Sequence, residues 1–490
     1  MNKFAKLVGY DKNKQTSVKT EVVSGVVTFL AMAYILTLNP LLMLDMFKTN
    51  PYPHLYSSVF VATALGAFVG TLLMAIYAKL PLAQAPGLGL NSMVGGLLGG
   101  SLIGFALSFG NAMLLVLISG MLFLLLSVLK IHGISIREII YKGIPESIRK
   151  AISVGIGLFI ALIGLTNAGV IVAGDGTLVD LVHFSAWDQS IAPALVCLFG
   201  FAVIAILSHF KVKGATIIGI LAATLVGLIP KLGVTEYSDL SWKFWEHFEG
   251  FFSFKTEEGG TFFAAFTEGF KFEKGVPVMS LIMVVITFCM IDMFDTMGTC
   301  VGCCSAAGLM TEDGVPVNYN KIMVADSVAT TTGALLGTST VTTFVESGAG
   351  IAAGGKTGLT ALVTAGLFLF SIFLLPLFAS IPSAAASAAL IWVGCLMLKG
   401  VKDVKVDDVK DFVPTFLTIA IMPFGYSITD GIGLGILSYV GISLCSYIVG
   451  LISFKCSKKD NKVKPVWDLH VVTLIIAALF LVYFLVPTSF

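Results

Sequence analysis

The chain has 490 residues, of which 57% are hydrophobic and only 12% charged, with a mean hydropathy of +0.95. That balance excludes a water-soluble globule and predicts an all-α polytopic membrane protein. A net charge of +1, with no Lys/Arg run carrying interleaved aromatics outside the loops, excludes nucleic-acid binding. The chain opens on a basic arm, residues 1–20, with Lys3, Lys6, Lys12, Lys14 and Lys19. No small-residue cleavage site follows the first apolar stretch, so the arm is predicted to stay cytoplasmic. Beyond it, apolar stretches long enough to cross ~30 Å of hydrocarbon recur about fourteen times. The first set covers 21–38, 59–77, 86–98, 102–129, 147–168, 193–208 and 214–229. A long connection, 231–277, leads to the second set: 278–297, 322–336, 341–352, 358–378, 384–398, 412–427 and 431–452. A basic loop and a last apolar segment, 471–486, end the chain; its pattern fits crossing, re-entering or lying flat equally well.

Two stretches break this regularity. QAPGLGLN at Gln84 to Asn91 and TSTVTTFVESGAG at Thr338 to Gly350 are short, polar and glycine-rich. Lipid admits interrupted backbone only where protein or a water-filled cavity satisfies it, so paired interruptions predict a binding site near the membrane midplane. Short strings recur in the same order on both sides: VVTF and VITF, GLG and GAG, SGMLFLLL and AGLFLFSI. A duplicated unit of seven spans, an odd number, must be inserted upside down in its second copy. The expected organisation is a first repeat at 21–230, an extracytoplasmic loop at 231–277, a second inverted repeat at 278–453 and a cytoplasmic loop plus apolar segment at 454–490. Lysine and arginine concentrate in the loops this layout places inside, 130–150, 209–213, 399–411 and 455–464. The Phe- and Trp-rich loop 231–275 reads either as a helix lying at the interface or as a plain connector.

An ionised carboxylate near the bilayer centre costs at least ~2.5 kcal/mol, so Asp292, Asp295, Asp326 and Glu346 each need a reason to be there. Asp292 and Asp295 are three residues apart in IDMFDTMGT, on neighbouring faces of one helix. Glu346 sits in the second break, where a half-helix leaves amide groups unpaired. For Asp326 a structural hydrogen-bonding role is the stronger expectation. Asn91 in the first break offers an amide to a ligand or to the facing half-helix. Thr342 and Thr343 either line the site or pair the two breaks as a small sheet, and Phe344 can stack on a flat ring. Gly66 and Gly70 form a GxxxG packing pattern.

GIAAGGKT, Gly350 to Thr357, spells the GxxxxGK[ST] phosphate loop, but an apolar span follows instead of a soluble helix after a buried strand, so nucleotide binding is not expected. The CxxCC run at Cys300, Cys303 and Cys304 lacks a fourth soft ligand, and the cysteines read as packing residues, with no cofactor or metal implied.

The strings VVTFLAMAYILTLNP (Val26 to Pro40), APGLGLN (Ala85 to Asn91), IDMFDTMGT (Ile291 to Thr299) and GTSTVTTFVESGAG followed by GGKTGLTA together resemble the AzgA-like purine permeases of the nucleobase-cation symporter 2 family. The resemblance covers nearly the whole chain. It implies two inverted seven-span repeats, a core of spans one to four and eight to eleven, and a gate from the rest. It also implies uptake of adenine, guanine or hypoxanthine with a proton or sodium ion in the plasma membrane, and a homodimer. By position, Glu346 resembles the family's tenth-span acid, Asp295 or Asp292 its eighth-span ligand, and Asn91 its third-span polar residue. Glu346 and Asp295 are then the candidates for proton coupling. The chain departs from the family's pattern at Ser92 and Met93, where a small residue and an aromatic are expected.

Three rival readings remain from the residues alone. An anion or carboxylate carrier of the same design would place Arg or Lys at the half-helix starts, where this chain has acids and an amide. A membrane-embedded aspartyl protease would need a GxGD string, which is missing, and its two acids on opposing elements. A passive channel needs no repeated half-helix site.

Overall fold

A computed structural model describes residues 3–10, 16–44, 52–131, 134–174, 179–184, 191–229, 251–273, 275–276, 278–312, 315–403, 408–456, 467 and 469–485. Among these, nine helical stretches have the length and apolar composition to cross a membrane, and three apolar helices are shorter. The first half contains α1 (Val18–Met32), α2 (Ile35–Leu44), α3 (Tyr56–Leu73), β1 (Gln84–Pro86), α4 (Leu88–Leu98), α5 (Phe109–Val128), α6 (Ile136–Gly143), α7 (Glu146–Asn167), α8 (Ala192–His209) and α9 (Ala215–Gly227). The second contains α10 (Val278–Ala307), α11 (Tyr319–Leu336), β2 (Val341–Thr343), α12 (Ser347–Ala352), α13 (Gly358–Ser371), α14 (Ser383–Met397), α15 (Val409–Phe424), α16 (Ile428–Cys456) and α17 (Val471–Leu485).

The helices pack in two groups. One gathers α1–α5 with α10–α13, through the α1–α13, α3–α11, α3–α13 and α5–α11 faces; the other gathers α7–α9 with α14–α16. Where the sequence suggests one span over 21–38, α1 and α2 form a single stretch, Val18–Leu44, interrupted by a turn at residues 33–34. α10 outruns its expected end at 297 because the following GTCVGCCSAA holds no proline, and its 30 residues extend about 45 Å. α11 carries Asp326, Ser327 and Thr330 on faces wholly buried by protein, so lipid never meets them.

The two breaks meet. β1 and β2 pair antiparallel, with Gln84 opposite Thr343, Ala85 opposite Thr342 and Pro86 opposite Val341. The pairing continues past both strands: the Gly87 amide donates to the Thr340 carbonyl at 3.0 Å, and the Phe344 amide to the Ala83 carbonyl at 3.0 Å. The Ser347 hydroxyl accepts from the Ala83 amide at 2.9 Å. Backbone that neither helix nor lipid could satisfy is thereby paired across the two halves of the chain. A side chain at Gly87 would meet Thr342 at 2.9 Å, and one at Gly70 would meet Ala329 and Val341 at 3.0 Å. The GxxxG pattern therefore seats α3 against α11 and the second break.

Three segments that the sequence singles out are seen in full or in part. Ser147 at the start of α7 donates to Asp411 at the start of α15 (2.6 Å), so Gly143 lies at the end of the bundle opposite Ile428. α17 joins these ends: Thr473 donates to the Gly143 carbonyl, while Phe480 and Phe484 pack on Gly433 and Tyr483 bonds Asp430. The last apolar segment, a helix of 15 residues, thus packs along the bundle between Gly143 and Gly433. The GIAAGGKT string is no phosphate cradle, because the buried Glu21 carboxylate takes the Lys356 and Thr357 amides (3.1 and 3.3 Å) and the Thr360 hydroxyl (2.6 Å). The interfacial helix considered within 231–275 falls partly outside the described residues. From 251 the loop is an aromatic lobe in which Phe251 is buried beneath Phe252 and Phe262 while Phe266 and Phe270 stay exposed. The basic loop 455–464 lies outside the described residues beyond Cys456.

Candidate functional site

A cavity of about 720 Å³ lies between the two helix groups. The first group contributes Tyr34 from the turn between α1 and α2, Gly87 to Leu90 at the start of α4, Ile291 to Gly302 on one face of α10, and Thr343 to Ala349 from the second break. The other contributes Ile152, Ser153, Ile156 and Ile160 of α7, and Val393, Leu396, Met397 and Lys399 at the end of α14.

Of the six residues expected in the site, four line this cavity: Asp295, Thr343, Phe344 and Glu346. Asp295 is half-buried, with no hydrogen-bond partner among the described residues, so both its oxygens are open to a ligand. Glu346 caps the start of α12, and its carboxylate accepts from the Tyr34 hydroxyl at 2.5 Å. Thr343 lines the wall while its hydroxyl points away, donating to Asp326 at 3.2 Å.

Asn91 and Asp292 are not among the lining residues, which departs from their expected place. Both are fully buried behind the wall. Asn91 follows the first turn of α4, where the helical twist turns its side chain to the second break: it accepts from the Ser339 hydroxyl and donates to the Pro86 carbonyl at 3.5 Å. Asp292, three residues before Asp295, faces α11 and accepts from Thr330 at 2.7 Å. Asp326 is bound by the Gln84 amide (2.5 Å), the Thr296 hydroxyl (2.7 Å) and the Thr343 hydroxyl. Thr296 also pairs with Thr342 at 2.7 Å. These groups staple the β1–β2 pair to α10 and α11.

The half-helices differ in what they offer. At α4, Gly87 supplies no side-chain cap, and the amides of Leu88, Gly89 and Leu90 open on the cavity at the positive end of the helix. At α12 the amides of Ser347, Gly348 and Ala349 are already taken by turns back to Phe344, Val345 and Glu346, at 2.9–3.1 Å. The acid of the second break is therefore held by a tyrosine rather than by half-helix amides. Tyr34 was not singled out in the sequence. It stands in an apolar run, AMAYILTLNP, and only the turn at 33–34 aims its hydroxyl inward. Phe294 and Phe344 add flat apolar surface beside the two carboxylates.

The site thus sets two acids and a row of amides against an otherwise apolar wall, a geometry suited to a small, flat molecule bearing both donors and acceptors. Comparison with known proteins agrees on the family. Residues 19–434 match the model of a permease family, the xanthine/uracil permeases. The chain is 36% identical to the adenine permease AdeQ of Escherichia coli over 88% of each chain. It is 36% identical to the guanine/hypoxanthine permease PbuO of Bacillus subtilis, over 87% of this chain and 92% of that one. Among solved structures, the transmembrane domain of the cyanobacterial bicarbonate transporter BicA superposes with a TM-score of 0.59 at 15% identity, covering 85% of this chain and 97% of that domain. This likeness concerns the fold. On these matches and on the motifs that carry them, the chain belongs to the permease family, as a membrane transporter of the AzgA-like type.

Proposed function

We propose that this protein is a secondary active transporter that imports the purine nucleobases adenine, guanine or hypoxanthine by proton symport. The observation that carries the reading is the pair of carboxylates in the cavity lining, Asp295, unpartnered among the described residues, and Tyr34-held Glu346, with the uncapped start of α4 in a cavity walled by Phe294, Phe344 and isoleucines. A purine presents N–H donors to carboxylates and ring nitrogens or a carbonyl to amides, while its faces rest on apolar walls. The names of the relatives support the same substrate class.

An inorganic anion fits less well. The cation lining the cavity, Lys399, is exposed at its rim, while two acids would repel a negative ligand at its centre. Proton coupling follows if Glu346 or Asp295 loads a proton outside and releases it inside, which contributes about 2.3 kcal/mol per 100 mV. Alternating access then moves a core, spans one to four and eight to eleven, against a gate within two inverted seven-span repeats. Asn91 and Asp292 act behind the wall by holding the break and α10 in register. The reading places the protein in the plasma membrane with a cytoplasmic N-terminus.

Purified protein titrated with adenine, guanine, hypoxanthine, bicarbonate and sulfate tests the substrate class. Purines are expected to bind and raise the melting temperature, with Asp295→Asn weakening binding about tenfold or more. Saturable stabilisation by bicarbonate or sulfate instead would overturn the reading. A second expectation concerns the route out of the site. A Cβ added at Gly298 or Gly302, both in the cavity lining, meets nothing within 4 Å. Gly302→Leu should therefore melt at or above the wild-type temperature, since leucine gains about 1 kcal/mol of helix propensity over glycine. Its uptake should fall sharply, and undiminished uptake would remove this face of α10 from the route.

A further inference from the structure

We infer that Tyr141 and Arg149 form a latch that links the aromatic wall of the cavity to the gate helix α7, and that this latch sets the rate of translocation rather than the affinity for substrate. The inference rests on the transport reading above. α6 is the short amphipathic link between α5 in one helix group and α7 in the other. One side of it is fixed to the first group. Arg137 is fully buried, donates from Nη2 to Asn320 at 3.0 Å and lies over the Tyr319 ring at 4.9 Å. Tyr141, one turn on, meets Phe294 of α10 edge-on, with ring centres 6.0 Å apart at 61°. Phe294 is itself cavity wall, adjacent in sequence to Asp295.

The other side of Tyr141 belongs to the second group. Arg149, in the first turns of α7, places its guanidinium 3.9 Å from the centre of the Tyr141 ring. Glu146, three residues earlier on the same helix, is paired with Lys150 at 2.7 Å. The Arg149 Nε is buried and without a hydrogen-bond partner among the described residues, so on that side the guanidinium rests on the ring. A single tyrosine thus touches a cavity residue of one group and a cation of the other. Both contacts depend steeply on ring position. A purine resting on Phe294 fixes that ring, and packed contacts pass the displacement on as a choice between discrete arrangements. In the conformation described, with the cavity reaching Ser153, Gly302 and Lys399, the latch is closed.

The test uses the full chain in proteoliposomes, with hypoxanthine or adenine as the probe. Initial rates are compared for wild type, Arg149→Gln, Tyr141→Ala, their double variant, and the conservative pair Arg149→Lys and Tyr141→Phe. The single variants are expected to lower the maximal rate on the order of tenfold. KM should stay within about twofold, since no purine contact is lost. The double variant should be no slower than the worse single, and Arg149→Lys and Tyr141→Phe should keep most of the rate. Wild-type rates in both single variants, or losses that multiply in the double, would overturn the latch. So would a rise in KM that accounts for the whole defect. Failure of the wild-type protein to take up either purine sinks the transport reading itself, a result distinct from these.

Discussion

Glu346→Gln is expected to reduce purine uptake by about 100-fold or more while leaving the melting temperature close to wild type. The amide keeps the size of the carboxylate, and its oxygen still accepts from Tyr34, so the second break retains its hydrogen bond. On the proposed mechanism, what disappears is the negative charge that would receive purine N–H groups and the group that would carry a proton through the membrane. Tyr34→Phe sharpens the interpretation. It removes the donor to Glu346 without touching the acid, and a loss of about tenfold is expected, because the carboxylate loses its fixed orientation yet remains accessible to water. Initial-rate uptake with both variants measures this. Wild-type rates in Glu346→Gln would show that the acid at the start of α12 takes no part in transport, whatever its place in the cavity.

Asp326→Ala should cost the fold more than any single change in the cavity. It would remove the acceptor shared by the buried Gln84 amide and the hydroxyls of Thr296 and Thr343, leaving Gln84 only its 3.3 Å bond to Thr343 and Thr296 its pairing with Thr342, at roughly 3 kcal/mol in total. Asp326→Asn is expected to be little better. Its oxygen can keep the Gln84 and Thr343 donors, but its NH2 group forces the Thr296 hydroxyl to turn from donor to acceptor and loses the charge that strengthened all three bonds. Because these bonds staple β1–β2 to α10 and α11, substrate binding should fall together with the melting temperature. Thermal unfolding of the detergent-purified variants checks the point, and a melting temperature within a degree or so of wild type for Asp326→Ala would show that the network bears no weight.

The contrast between Glu346 and Asp326 also shows what the sequence could reveal. Glycine-rich polar strings inside apolar spans are visible as composition, so both breaks and the presence of acids near them could be read directly. The pairing of Gln84 to Pro86 with Val341 to Thr343 is one of two arrangements the residues allow, since threonines suit both a ligand wall and a strand. Sorting the acids was harder. Asp292 and Asp295 differ by three positions, about 60° around the helix, and nothing local says which direction is cavity and which is α11. Asn91 hides for the same reason, one position beyond the amides of α4 that face the cavity. Tyr34 and α6 left the weakest signals. A tyrosine within AMAYILTLNP reads as core until a turn is placed beside it, and IREIIYKG is too short a periodic pattern to stand out within a basic loop.

The most direct test of the account is accumulation of radiolabelled adenine, guanine and hypoxanthine in proteoliposomes holding the wild-type protein, with an imposed proton gradient as the sole energy source. Accumulation above equilibrium that needs the gradient, is indifferent to sodium and collapses on addition of a protonophore is the predicted result. Purine entry that only equilibrates, or that follows a sodium gradient instead, would contradict proton symport through this site.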